Sequence, residues 1–158
     1  MTIIPYGKHF IDEADIDAVI NVLRNGPLTQ GPQIEEFEHE FAKYVNSKYA
    51  VAVSSCTAGL HIAAVAAGLE QGDTLITSPI TFVASSNAGL YVGAKIAFSD
   101  ISPGTVNMDP SSLSSTLLKS RGKKVVVPVH FAGYPCEMEN IKSICDKSSA
   151  VIIEDAAH

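Results

Sequence analysis

Cysteine is scarce in this chain. The three cysteines among its 158 residues, Cys56, Cys136 and Cys145, form neither a CxxC pair nor an even-numbered set. Their spacing therefore indicates neither a zinc ribbon nor a disulfide framework, and we predict no metal site. Reduced thiols are typical of a cytoplasmic protein.

Long apolar runs and a surplus of positive charge are also missing. No run reaches the roughly 20 apolar residues of a membrane span, and the start lacks the basic-then-apolar layout of a secretory signal. The chain has 11 Lys and Arg against 17 Asp and Glu, with no basic cluster. We therefore expect a soluble protein with neither a membrane nor a nucleic-acid partner, although backbone groups could still hold a small anion.

Short runs rich in Val and Ile alternate with helical stretches from Tyr49 onward, which predicts βαβ units in an α/β fold with a mostly parallel sheet flanked by helices. The predicted strands are Tyr49–Ser54, Thr74–Thr77, Lys95–Ser99, Lys124–Val129 and Ala150–Glu154. The predicted helices are Thr57–Leu69, Thr81–Val92, Pro110–Lys119 and Met138–Lys147. All strands of such a sheet end at one rim, meaning the edge formed by their carboxyl ends.

The region before Tyr49 has a different pattern. Two amphipathic helices are predicted at Glu13–Arg24 and Ile34–Tyr44, separated by a segment with two glycines and two prolines, 26–32, that must be a loop. We therefore divide the chain into a helical segment, 1–48, and part of an α/β domain, 49–158. A parallel sheet needs something to cover its last strand, and the chain stops at the turn after that strand, so we expect a fragment.

Small residues from Ser54 to Gly59 join a buried strand to a helix. The first N–H groups of a helix are unpaired, and with the helix dipole they favour an anion such as a phosphate. Ordinary helix capping by Ser55 or Thr57 accounts for the segment equally well.

Further candidates fall on the same rim. Asp155 follows a strongly apolar run, where a carboxylate needs a cation or several donors, although a solvated turn or a helix cap would also account for it. Phe82 could stack on a flat ring or pack in the core. His130, at the end of its strand, could contact a substrate or make a local backbone hydrogen bond.

Several ordered segments together resemble one family, the DegT/StrS-type nucleotide-sugar aminotransferases, which depend on pyridoxal 5′-phosphate (PLP) and have the fold-type I scaffold. The resemblance covers essentially the whole chain. It rests on GPLTQGP at 26–32, VSSCTAGLH at 53–61, GD at 72–73, PITFVA at 79–84, VHFAG at 129–133 and EDAAH at 154–158. It implies that 49–158 is the amino-terminal part of the PLP-binding large domain.

The resemblance also implies roles for individual residues. Thr57 and Ala58 would hold the cofactor phosphate, and Phe82 would stack on the pyridine ring. Asp155 would pair with the ring nitrogen and His158 would hydrogen-bond the phenolic oxygen, which makes these two the expected catalytic residues. A carboxylate beside the ring nitrogen keeps it protonated, so that the ring can accept electrons.

The substrate expectations follow from the same resemblance. Tyr6, Thr29 and His130 would contact substrate, and Cys56 replaces the glycine or alanine that is common in the family. The motifs most resemble enzymes of pseudaminic acid synthesis that aminate C4 of a UDP-linked 4-keto-6-deoxy-N-acetylhexosamine, usually with glutamate as amino donor. Relatives are dimers, so the resemblance implies a homodimer for the complete protein.

Two alternative functions stay open. The family's Schiff-base lysine lies in a later motif that this chain lacks. Lys95 and Lys124 begin predicted strands at the opposite edge of the sheet, and Lys119, Lys142 and Lys147 belong to predicted helices. We therefore expect no stable lysine linkage to PLP in the chain alone. Some relatives carry histidine in place of that lysine and remove a sugar hydroxyl, which allows a PLP-dependent dehydratase. A truncated, non-catalytic domain that binds a ligand or a partner is the other alternative.

Overall fold

The computed structural model describes residues 7–158, so the predicted substrate residue Tyr6 lies outside the described part. The chain divides into a first unit that ends at Ala52 and a second unit, Val53–His158. Each unit is described by itself.

The first unit contains two helices, α1 (Glu13–Asn25) and α2 (Pro32–Tyr44). Helix α1 starts with a capping box: the Asp12 side chain accepts hydrogen bonds from the first turn, and the Asp15 side chain accepts one from the Asp12 N–H at 3.0 Å. Pro32 begins α2, where its missing N–H costs nothing. The intervening loop, which includes Thr29, agrees with the prediction.

A parallel sheet organises the second unit. Its strands in the described residues are β1 (Thr74–Thr77), β2 (Lys95–Phe98), β3 (Lys124–Val127) and β4 (Val151–Ile152), in the order β2-β1-β3-β4. All of the pairings are parallel. The predicted α/β class with a parallel sheet is confirmed.

Helices cover both faces of this sheet, because neighbouring residues of a strand point to opposite sides. Leu75 and Val125 pack with α3 (Cys56–Ala66) and α4 (Ala84–Tyr91), whereas Ile76 and Val126 pack with α5 (Pro110–Lys119) and α6 (Met138–Lys147). A short 3-10 turn, Phe131–Gly133, follows β3. The result is a three-layer arrangement.

Helix α4 lies very close to β1. A Cβ atom placed on Gly89 would meet the Cβ of Leu75 at 2.8 Å and the Cδ1 of Ile96 at 2.7 Å. Only glycine fits this contact without a shift of its neighbours.

The predicted strand Tyr49–Ser54 is wrong. This segment pairs with no strand in the described part of the chain, and Tyr49 and Val51 are exposed. Alternating apolar residues favour an extended backbone, but a strand also needs a partner for its N–H and carbonyl groups. Here the Ala52 N–H donates instead to the Glu38 side chain at 2.7 Å.

Other boundaries differ by a few residues. Helix α4 begins at Ala84 rather than Thr81, and α3 ends at Ala66 rather than Leu69. Strands β3 and β4 are shorter than predicted, although one parallel bridge joins Val129 to Asp155 beyond them. Within residues 7–158, no helix has the length and apolarity that crossing a membrane requires.

Candidate active site

The strand order creates a crevice between β1 and β3. The chain passes from β1 to one neighbour, β2, and then crosses to β3 on the other side. Ligands of open α/β sheets bind beyond the strands' carboxyl ends at such a switch point. The segments that follow β1, β3 and β4 at this rim are 78–83, 128–133 and 153–158.

Asp155 lies at this rim and is only 5% exposed. Its backbone is held on both sides, because its N–H donates to the Pro128 carbonyl at 2.9 Å and its carbonyl accepts from the His130 N–H at 3.1 Å. The Ser85 hydroxyl donates to its Oδ2 at 2.7 Å. A buried carboxylate is thus retained with hydrogen-bond donors and without a cationic partner within the described residues.

The amino terminus of α3 lies beside Asp155. The thiol of Cys56, the first residue of α3, donates to Asp155 Oδ1 at a sulfur–oxygen distance of 3.8 Å. Thr57 follows directly in the chain. The structure therefore brings together the two segments that the sequence analysis placed on one rim.

The two interpretations of the Ser54–Gly59 junction, helix capping and anion binding, are compatible with each other. Ser55 caps α3, since its side chain accepts from the Ala58 N–H at 3.2 Å. Within the described residues, the N–H groups of Cys56 and Thr57 have no acceptor. These two N–H groups, at the positive end of the helix dipole, can bind an anion.

The Cys56 thiol is a weak acid in this setting. Although the residue as a whole is exposed, its sulfur lies against the buried carboxylate. Burial raises the pKa of Cys56, and the negative charge of Asp155 and the hydrogen bond to it raise this pKa further. The thiol is therefore a hydrogen-bond donor at neutral pH rather than a nucleophile.

Phe82 does not pack in the core, because it is 70% exposed. It lies in the segment between β1 and α4, and its ring is free to meet a flat ligand. Its carbonyl lies 3.1 Å from the Ser85 hydroxyl that also holds Asp155. The backbone of Phe82 and the carboxylate of Asp155 are thus neighbours.

Sequence reasoning missed Ser85 and Thr81 as site residues. Ser85 is fully buried, and its hydroxyl oxygen lies 2.7 Å from that of Thr81. The sequence offered no distinguishing signal, because Ser86 and Asn87 follow Ser85 in the same helix and the partner of Ser85 lies 70 residues away in sequence.

Two histidines lie on the same rim with different roles. His130 accepts the Cys136 N–H at its Nδ1 at 3.0 Å, so its Nε2 carries the hydrogen and donates to Glu154 at 2.9 Å. The local backbone hydrogen bond left open for His130 is therefore present. His158 accepts the Ala132 N–H at its Nδ1 at 2.9 Å, which leaves its Nε2 as a donor.

The match to a family model settles the classification. The model described as the DegT/DnrJ/EryC1/StrS aminotransferase family matches residues 9–158. The chain belongs to this family. A curated relative, the spore coat polysaccharide biosynthesis protein SpsC of Bacillus subtilis, is 41% identical over 155 residues, which are 98% of this chain and 39% of that protein.

Solved structures of family members have the same fold. The Helicobacter pylori aminotransferase PseC, which is involved in pseudaminic acid biosynthesis, is 29% identical with a TM-score of 0.86 over 96% of this chain and 41% of its own. Spr1654 of Streptococcus pneumoniae, assigned as a sugar aminotransferase and solved in a PLP form, is 28% identical with a TM-score of 0.89 over 98% of this chain and 43% of its own.

The chain thus spans about two fifths of the length of the relatives it matches. Pyridoxal 5′-phosphate is the cofactor of this sugar aminotransferase family. The exposed aromatic ring, the unpaired N–H groups of α3 and the buried carboxylate together form a set of groups that suits this cofactor.

Proposed function

We propose that the complete protein is a PLP-dependent aminotransferase that transfers an amino group from glutamate to C4 of a UDP-linked 4-keto-6-deoxy-N-acetylhexosamine. The family membership and the similarity to SpsC and PseC support an aminotransferase of sugar metabolism. The observation that carries the proposal is the buried carboxylate of Asp155 beside the free N–H groups of α3.

In this proposal the chain holds both ends of the cofactor. The N–H groups of Cys56 and Thr57 bind the phosphate, with Thr57 and Ala58 as the residues around it, and Phe82 covers one face of the ring. Asp155, which is buried, would pair with the ring nitrogen. These groups fit because their charges are complementary: a helix amino terminus for the phosphate and a carboxylate for a protonated nitrogen.

Bound PLP supplies an electron sink for the carbon–nitrogen chemistry of amino transfer. Asp155 keeps a proton on the ring nitrogen, because its negative charge stabilises the positive one. At about 4 Å and an effective dielectric constant near 20, the gross attraction is about 4 kcal/mol before desolvation is subtracted. His158 would donate its Nε2–H to the phenolic oxygen, and the hydrogen bond that its Nδ1 accepts from the Ala132 N–H orients the imidazole ring.

The substrate contacts are part of the same proposal. Thr29 lies in the exposed loop between α1 and α2, and we propose that it and Tyr6 contact the nucleotide sugar. His130 remains a proposed substrate residue. Because both of its ring nitrogens have protein partners, it would make contact through its ring edge or by releasing the half-exposed Glu154.

Covalent attachment of the cofactor would require a lysine that can reach this rim. Lys95 and Lys124 pair in register with Thr74 at the starts of their strands, at the opposite edge of the sheet from Asp155. We propose that the part of the relatives' length that this chain does not span supplies the lysine. A histidine at that position would indicate the dehydratase.

We further propose a homodimer in the cytoplasm. Several apolar side chains of α1 and α2 are exposed, including Ile16, Val19, Leu23 and Phe37, and such surfaces are often covered by a partner. Light scattering of the full-length protein should give twice the mass of one chain.

The decisive assay uses full-length protein with PLP, glutamate and a panel of UDP-4-keto sugars. We expect a UDP-4-amino sugar and 2-oxoglutarate in equal amounts. Loss of a sugar hydroxyl without nitrogen transfer would favour the dehydratase, and PLP binding without turnover on any sugar would favour a binding domain.

An Asp155→Asn variant tests the site within this assay. It should retain PLP but lose at least about 100-fold in turnover, since the carboxylate charge is removed while the side-chain shape is kept. Asp146→Asn is the matched control, because Asp146 is exposed on α6 and its side chain forms an ion pair with Lys142 of the same covering helix. Near-normal turnover of Asp155→Asn would refute the proposed role of this carboxylate.

A further inference from the structure

We propose that Ser85, supported by Thr81, is a positioning residue that sets the Asp155 carboxylate so that one chosen oxygen, Oδ1, faces the cofactor. This inference rests on the proposed function and adds a residue pair to it. Neither residue was expected from the sequence to act at the site.

The hydrogen-bond directions follow from the chemistry of the groups. An ionised carboxylate can only accept, so the Ser85 hydroxyl donates its single hydrogen to Asp155 Oδ2 at 2.7 Å. The Phe82 carbonyl, at 3.1 Å, is a longer and uncharged competitor for that hydrogen. Because the Ser85 hydrogen is committed, Thr81 must donate to the Ser85 oxygen at 2.7 Å.

The resulting relay runs from Thr81 to Ser85 to Asp155. Each hydroxyl polarises the next, which strengthens the bond at the carboxylate. Ser85 is fully buried and Asp155 is 5% exposed, so water does not compete strongly at Oδ2. Oδ2 is therefore the anchored oxygen.

Oδ1 is held less tightly. It accepts from the Cys56 thiol at 3.8 Å, a weak donor, and from the Ala157 N–H at 3.3 Å, which is long for such a bond. It also lies on the side of the α3 amino terminus, where the proposed phosphate site begins. The geometry thus assigns Oδ1 to the ring nitrogen and Oδ2 to the protein.

The Asp155 carboxylate needs a side-chain anchor because Asp155 lies beyond the end of a regular strand. Strand β4 ends at Ile152, and one isolated bridge to Val129 fixes the backbone at Asp155. A backbone bridge does not restrain the side-chain torsion angles of Asp155. A carboxylate that must face a ring nitrogen loses effect when its orientation is wrong by about 10–20°. The Ser85 bond removes this freedom.

The test uses full-length protein with Ser85→Ala and, as the matched control, Ser86→Ala. Ser86 is the next residue of α4, and among residues 7–158 its hydroxyl bonds only the Val83 carbonyl, at 2.9 Å. We expect Ser85→Ala to lower kcat about 10- to 100-fold, the range for a lost hydrogen bond to a charged group, with the KM for the sugar within about twofold. The pH dependence of the bound-PLP absorbance should also shift. A serine with a merely structural role would leave this pH dependence unchanged, so the measurement distinguishes the two roles.

A second variant covers the case in which Ser85→Ala does not fold, as judged by circular dichroism. Thr81→Val removes the donor to Ser85 at a half-buried position and should move kcat and the absorbance profile in the same direction by a smaller factor. An unchanged profile and kcat in the folded variant overturn the inference.

The outcomes separate this inference from the proposed function. If the parent transfers amino groups and Ser85→Ala behaves like Ser86→Ala, the positioning role is wrong and the function stands. If the parent binds PLP without transferring an amino group, the reaction is wrong and the absorbance profile alone decides the role of Ser85. If the parent does not bind PLP, both are wrong.

Discussion

The close contact between α4 and β1 gives a quantitative prediction for Gly89→Ala. The added Cβ would lie 2.8 Å from the Leu75 Cβ and 2.7 Å from the Ile96 Cδ1. The Ile96 methyl can swing away, but the Leu75 Cβ is attached directly to the strand backbone and cannot. Helix and strand must therefore separate by several tenths of an ångström.

The expected free-energy change combines two opposing terms. Overpacking of a well-filled core costs about 1–3 kcal/mol. Replacing glycine by alanine inside a helix contributes about 1 kcal/mol in the other direction. The two terms combine to a decrease in the free energy of unfolding of up to about 2 kcal/mol, with about 1 kcal/mol as the central expectation for Gly89→Ala.

Gly59→Ala is the matched control because it lies inside α3, and its added Cβ would meet only the Val53 Cγ2, at an ordinary 3.4 Å. It gains the same helix propensity without the clash, so it should be neutral or more stable by up to about 1 kcal/mol. Urea unfolding followed by circular dichroism, on both variants without PLP, measures the difference. Equal stabilities for the two variants would contradict the packing argument.

Two further predictions concern titration. The Ser111 hydroxyl, and then the Ser112 N–H, lower the pKa of Asp109, the cap of α5, below its ordinary 3.8. Asp109→Ala should thus cost about 1 kcal/mol at pH 7. The urea midpoints of parent and variant should begin to converge as the pH falls through 3.8 and should meet below the lower pKa of the folded state, because only there is the carboxyl protonated in both the folded and the unfolded protein. Burial raises the pKa of Cys145 to about 11, so iodoacetamide at pH 8 should leave Cys145 unmodified until the protein unfolds. Cys56 should react slowly in the parent and faster in Asp155→Asn, because this variant removes the neighbouring negative charge. Equal Cys56 rates in parent and variant would contradict the effect of Asp155 on this thiol.

Local signals were sufficient for part of the fold. Helix α5 begins at Pro110 and ends at Lys119 as predicted, because Asp109 caps it and proline fits its first position. Helix α6 and strand β1 also have the predicted bounds. For α5 the boundary is decided by the two residues at its start.

Long-range partners decided what was missed. Residues 49–54 have a strand-like pattern, but pairing depends on a neighbour that the local sequence does not specify. Likewise Ser85 resembles any small helix residue until its bond to Asp155 is known. Asp155 itself was accessible to sequence reasoning, since a charge after a strongly apolar run needs a partner wherever the partner lies.

The bond between Cys56 and Asp155 joins residues that are 99 positions apart. Because a ribosome releases the chain from its amino end, the amino terminus of α3 emerges long before Asp155. In the proposed site, the cofactor would therefore meet both of its partners only after β4 has paired with β3. Under that proposal, complete binding of the cofactor would be a late event that depends on folding of the whole sheet.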